Sequence, residues 1–149
     1  MGKSIQQLFL DAIQKNLAFL VKGYGFSGPY SNFGPEDELY LYSVWFMGKN
    51  LGIEFNLDWR DQSVDCYIVR LINGKMPAGW FVNEQGLRIR YDLAAWIREI
   101  GIKEHLFTNV KGLKFEDSIP IQIKDYARII KKFGKAVLED RADVFPTER

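Results

Sequence analysis

Glu54, Asp58 and Asp65 are the residues of this 149-residue chain best placed to do chemistry, with Tyr67 beside them. Carboxylates grouped near a phenol suit three tasks. They can form the wet outer side of a sheet with no role of their own. They can steer and select a basic partner, with tyrosine supplying rigid contact area. They can also hold Mg²⁺ or Ca²⁺, or run acid–base chemistry.

The grouping rests on two segments of strand-like pattern. In Leu51–Trp59 the apolar Leu51, Ile53, Phe55, Leu57 and Trp59 alternate with Gly52, Glu54, Asn56 and Asp58, the period of a half-buried strand. Val64–Ile72 reads as a second strand, with Arg60-Asp61-Gln62 as the turn between them. The two apolar faces coincide only if the loop holds an even number of residues. The resulting register pairs Trp59 with Val64, Leu57 with Cys66 and Phe55 with Ile68 on the core side. On the other side it opposes Asp58 to Asp65, Asn56 to Tyr67 and Glu54 to Val69. Directly opposed like charges cost about 0.2–1 kcal/mol, a small penalty. Tyr40 and Tyr42 join the acidic face if the loop around Gly48-Lys49-Asn50 is odd in length; an even loop sends Trp45 there instead.

Other familiar chemistries lack their parts. His105 is the one imidazole, and no Ser, Cys or Asp stands at a telling spacing from it, so it reads as a surface histidine. Cys66 lies in the apolar phase of its strand and reads as a small hydrophobe. Gly23-Tyr24-Gly25-Phe26-Ser27-Gly28 matches G-x-G-x-x-G, but it leaves a helix and runs into Pro29. A dinucleotide fingerprint must leave a strand and open a helix. One cysteine and one histidine supply neither a disulfide nor a zinc site, and no cofactor is expected.

The elements that must position these residues follow from periodicity. Ser4 and Gln7 form a capping box for a helix with Ile5, Phe9, Ala12, Ile13, Asn16, Leu17 and Leu20 near one side, stopped at Gly23. Residues 24–38 read as a loop, with a short edge strand open to Tyr30–Phe33. Strands are expected at Leu39–Met47, Trp80–Val82 and Leu87–Tyr91. Asp92 caps a helix that ends at Gly101, and residues 102–118 follow neither period. A last helix is expected from Pro120 to near Asp140, with Ile123, Tyr126, Ile130, Phe133 and Val137 as its core stripe. The whole is one α+β domain over residues 1–149: an antiparallel sheet of about five strands, with the N-terminal and C-terminal helices packed on one face.

That last helix carries Lys124, Arg128, Lys131, Lys132 and Lys135 within about 100° of arc, nearly opposite the apolar stripe. The face suits an acidic partner or nucleic acid, or simply keeps the helix solvated. A net charge of +1, from 20 basic and 19 acidic residues, argues against nucleic acid. No window reaches 18 uninterrupted apolar residues and no signal peptide opens the chain, so no membrane partner and a cytoplasmic location are expected.

Phe19-Leu20-x-x-Gly23-Tyr24-Gly25-Phe26, Ile53-Glu54, Asp58-x-Arg60-Asp61 and Val64-Asp65-Cys66-Tyr67-Ile68 form a wider pattern over residues 17–71. In these segments the chain resembles small bacterial proteins associated with the immunity proteins of toxin systems. The resemblance implies a stoichiometric binder without catalysis, whose partner is another protein, a toxin. Read from the residues alone, four functions remain open: such a binder using Glu54, Asp58, Asp65, Tyr67, Tyr40 and Tyr42; a small-molecule or carboxylate-metal enzyme beside the same carboxylates; a nucleic-acid module on the basic helix face; and a structural subunit with some of Trp45, Trp59, Trp80 and Trp96 at an oligomer interface.

Overall fold

The computed structural model describes residues 4–33, 40–77 and 86–145. Ser4 opens α1 (Ile5–Asn16), its Oγ accepting the Gln7 N–H at 3.1 Å. The Gln7 side chain donates to Asp11 at 2.7 Å and does not reach back, so half of the expected box closes. The chain breaks at Leu17 and resumes as α2 (Ala18–Tyr24). The left-handed stop falls at Gly25 (φ 76°), two residues beyond the expected Gly23. The longer helix lets Phe26 donate its N–H to the Leu20 carbonyl at 3.0 Å, and both side chains are buried there. That burial outweighs glycine's weak helix propensity at Gly23.

Five strands follow: β1 (Ser27–Phe33), β2 (Leu41–Met47), β3 (Leu51–Asp58), β4 (Ser63–Arg70) and β5 (Arg90–Asp92). They form one antiparallel sheet in chain order. Of the residues read as a loop, Ser27–Phe33 form an edge strand, and 34–38 lie outside the described residues. The expected strand at Trp80–Val82 lies outside the described residues.

Helices cover one face. Phe9 and Ile13 of α1, with Ile119, Ile123, Tyr126 and Ile130 of α4 (Phe115–Phe133), share one continuous core with Val44, Phe46, Ile53, Phe55, Leu57, Val64, Cys66 and Ile68 of the sheet. The Tyr126 hydroxyl donates to the Val64 carbonyl at 3.0 Å, tying α4 to the sheet. Asp92 caps α3 (Leu93–Glu99), its carboxylate accepting the Ala95 N–H at 2.9 Å.

The last helix departs from its expected bounds. It begins at Phe115, so Pro120 stands in the second turn and leaves one helical bond unmade. Pro120 and Glu116, four residues before it, occupy exposed positions where water can replace that bond. The extra turn buries Phe115 and Ile119, which offsets the loss. At Gly134 the helix breaks, and α5 (Lys135–Leu138) continues as a separate turn. A side chain at Gly134 would meet the Ile130 carbonyl oxygen at 2.6 Å. Among the described residues no helix is long and apolar enough to cross a membrane.

Candidate functional site

The β3–β4 loop is even, as the face argument requires, but the register sits two residues from the expected one. Leu57 opposes Val64, Phe55 opposes Cys66 and Ile53 opposes Ile68. On the outer side Asn56 opposes Asp65, Glu54 opposes Tyr67 and Asp58 opposes Ser63. Trp59 leaves the strand for the turn, where its N–H donates to the Tyr40 carbonyl at 2.9 Å. The face assignment survived because a shift of two preserves side-chain parity. The direct Asp58–Asp65 opposition did not: a four-residue turn relieves it by moving the two onto a diagonal. The Asp58 carboxylate helps close that turn, accepting the Asp61 N–H at 2.9 Å.

Of the two alternatives for the β2–β3 loop, the even one is realised. Tyr42 opposes Leu57 on the core side and is 8% exposed, edge-on to the Phe9 ring at 6.0 Å. It is therefore part of the core, away from the acidic face. Tyr40 lies at the mouth of the β3–β4 turn, with the Arg60 guanidinium 4.1 Å above its ring. Trp45 takes the outer place opposite Glu54 and stacks with Tyr30 of β1, ring centroids 6.1 Å apart. One row across the outer face thus reads Tyr30, Trp45, Glu54, Tyr67, Asp92.

Glu54 is 6% exposed, unlike its expected place in an open patch. Arg90 grips it with two bonds, Nε to Oε1 at 3.0 Å and Nη2 to Oε2 at 3.2 Å, and also donates to the Pro77 carbonyl at 2.7 Å. Asn56 Nδ2 donates to Glu54 Oε1 at 3.1 Å, and Ser43 Oγ donates to Asn56 Oδ1 at 2.5 Å. Burying a lone carboxylate costs several kcal/mol, so a fork of this kind is what keeps it there. The cover comes from the chain after β4. A side chain at Gly52 would meet Met76 Cε at 2.9 Å and Leu71 Cδ2 at 3.3 Å, and Val69 is fully buried. One end of the outer face is therefore closed, and the wet part is the other end.

At that wet end stand Asp58, Asp65 and Asp92, all half-buried. The register places Asp65 diagonal to both of the others, a Cα separation of about 7–8 Å. None of the three makes an ion pair with a described residue. Burial first, then the Asp92 and Asp58 charges, push the Asp65 carboxyl above its ordinary range. Burial and the charges of Asp65, Asp92 and Glu54 likewise push the Tyr67 phenol up to about 12, so it stays protonated and able to donate. Burial pushes the Cys66 thiol well up too, in keeping with a packing role.

The Asp65 shift has a testable sign. Its folded-state pKa lies above the ordinary 3.8, so the charged form opposes folding once pH exceeds the folded value, and the penalty vanishes below 3.8. Asp65→Asn should raise the urea midpoint at pH 7, with the gain over the unaltered chain shrinking as pH falls through that window. A gain independent of pH would refute the account.

Sequence reasoning missed Arg90 and gave Asp92 only its capping role. Alternation in Leu87–Tyr91 does set Arg90 opposite in phase to Ile89 and Tyr91, yet nothing local says which strand β5 joins. Among the described residues no group of three or more His, Cys, Asp or Glu could hold a metal ion. His105 is exposed. Gly23 to Gly28 join a helix end to an edge strand, so their backbone does not open a helix toward a phosphate. Comparison with protein families, with curated proteins and with solved structures finds no match to the chain.

Proposed function

We propose that this chain is a non-enzymatic binding protein that holds a basic protein partner against the outer face of its sheet. The observation carrying this reading is the trio Asp58, Asp65 and Asp92, in which the outer two charges crowd Asp65 and none has a counter-ion among the described residues. A lysine or arginine brought among them relieves that repulsion, which is electrostatic complementarity waiting for a partner. Tyr67 adds a hydroxyl, and the stacked Tyr30 and Trp45 extend the row with rigid aromatic area, the residue types enriched in binding hot spots. Glu54 acts beneath this surface by holding Asn56 and Arg90 in place. The resemblance to immunity proteins makes a toxin the partner, neutralised by occlusion.

The test compares partners captured by the tagged chain and by Asp58→Lys/Asp65→Lys, identified by mass spectrometry. The unaltered chain should retain a basic protein that arrests growth when expressed alone, and the variant should lose it. Asp65→Lys alone serves as the second variant, because Asp65 makes no hydrogen bond that its loss would break. Equal capture by all three folded chains would sink the proposal.

A further inference from the structure

On the opposite side of the molecule, the solvent face of α4 borders a hollow of about 680 Å³, closed by Asn16 of α1 and by Thr108. That volume falls in the range of about 300–1,000 Å³ usual for small-molecule sites. Lys124, Arg128, Lys131 and Lys132 line it, with Ile121 and Ala127 as apolar wall. Lys124 and Lys132 are eight residues apart, about 12 Å along the helix. A chain with almost no net charge thus gathers four cations around one concavity. Lys135 does not belong to it: the break at Gly134 places it on α5, where it pairs loosely with Glu139 at 4.0 Å.

Among the described residues one carboxylate, that of Asp125, lines the hollow. Asp125 is buried, and it accepts the Thr108 N–H at 2.7 Å and the Thr108 hydroxyl at 2.9 Å. These bonds seat the chain before α4 and hold the carboxylate in place, its charge offsetting one of the four cations. Arg128 lies 3.7 Å from Asp125 and donates to the Leu106 carbonyl, which fixes the guanidinium at the wall. Lys131 rests 4.6 Å over the Phe19 ring. Lys132 pairs with Glu104 at 2.9 Å, both side chains more than half exposed, a contact a ligand can exchange at little cost. Lys124 has no ion-pair partner among the described residues. Four cations against two carboxylates leave a surplus of positive charge.

We propose that this hollow binds a small molecule carrying a multiply charged phosphate group. A held arginine fork beside mobile lysine ammonium groups is the combination that phosphate oxygens select. Ile121 and Ala127 accept the uncharged remainder of such a molecule. Among the described residues the walls offer no aromatic platform on which bases could stack, so a nucleic-acid strand fits less well.

Calorimetric titration of the full chain with inorganic tripolyphosphate, at low salt, tests this. One molecule should bind per chain. Lys124→Glu/Lys131→Glu should weaken binding about tenfold or more, with unchanged circular dichroism, while Asp65→Asn binds as the unaltered chain does. A parallel titration with adenosine triphosphate separates two sources of the same chemistry. Tighter binding points to a nucleotide, and equal binding to the phosphate chain alone. Absence of heat with millimolar tripolyphosphate, undiminished binding by the double variant, or preference for a single-stranded oligonucleotide would each overturn the proposal.

Discussion

Arg90→Met should lower the free energy of unfolding by about 3–5 kcal/mol, because it leaves Glu54 charged, buried and unpaired. The two side chains are only 10% and 8% exposed, so water cannot readily replace the guanidinium. Loss of the fork also frees the Pro77 carbonyl and unsettles Asn56, whose amide donates to Glu54. Replacing Glu54 and Arg90 together by methionine should recover most of the loss, since two apolar groups leave no buried charge. Recovery should stay incomplete, because Asn56 and Pro77 still lack their partners. Urea titration of the three variants measures both effects, and a single-variant loss below about 1 kcal/mol would show the pair to be effectively solvated.

The second large effect is expected at the β2–β3 hairpin, a few residues before Glu54 in the chain. Just beyond α5, Asp140 turns back at φ 59° and its carboxylate receives three consecutive backbone N–H groups of the β2–β3 hairpin. The distances are 2.5 Å from Lys49, 3.0 Å from Asn50 and 2.8 Å from Leu51. Asn50 Nδ2 answers by donating to the Asp140 carbonyl at 3.0 Å. Hydrogen bonds to a charged acceptor are worth more than neutral ones, so Asp140→Ala should cost about 2–3 kcal/mol. The same contact demands glycine at position 48, where a side chain would meet Asp140 Cγ at 2.7 Å. Gly48→Ala should therefore cost about 1–3 kcal/mol alone. With Asp140→Ala already present it should cost much less, because the obstructing carboxylate is gone. A double-mutant cycle reads that coupling, and strict additivity would show that the two residues do not meet in solution.

Both predictions concern contacts that no local pattern announces. Arg90 is 36 residues from Glu54, and Asp140 is about 90 from the hairpin it caps. Local signals did better wherever one residue's own neighbours settle its state. Alternation in β3 and β4 gave the correct core face, and Asp92 caps its helix as its position suggests. Where a helix could gain burial by running on, local signals lost. Gly23 and Pro120 look like helix boundaries, yet α2 runs past the first and α4 starts before the second.

The acidic group of the outer face divides along the same line. The chain's own periodicity determined that Glu54, Asp58, Asp65 and Tyr67 share one side of an antiparallel sheet, because side chains alternate strictly along a strand. Only the tertiary structure decided what each carboxylate does there. It sent Tyr42 into the core and Trp45 to the outer face through the length of one loop. It buried Glu54 under the chain after β4 and neutralised it with Arg90. It left Asp65 on the diagonals of Asp58 and Asp92 without a counter-ion among the described residues. The physical reason is that alternation is a property of one strand, whereas register, cover and counter-charge depend on segments distant in sequence, whose positions are set by the packing of the whole chain.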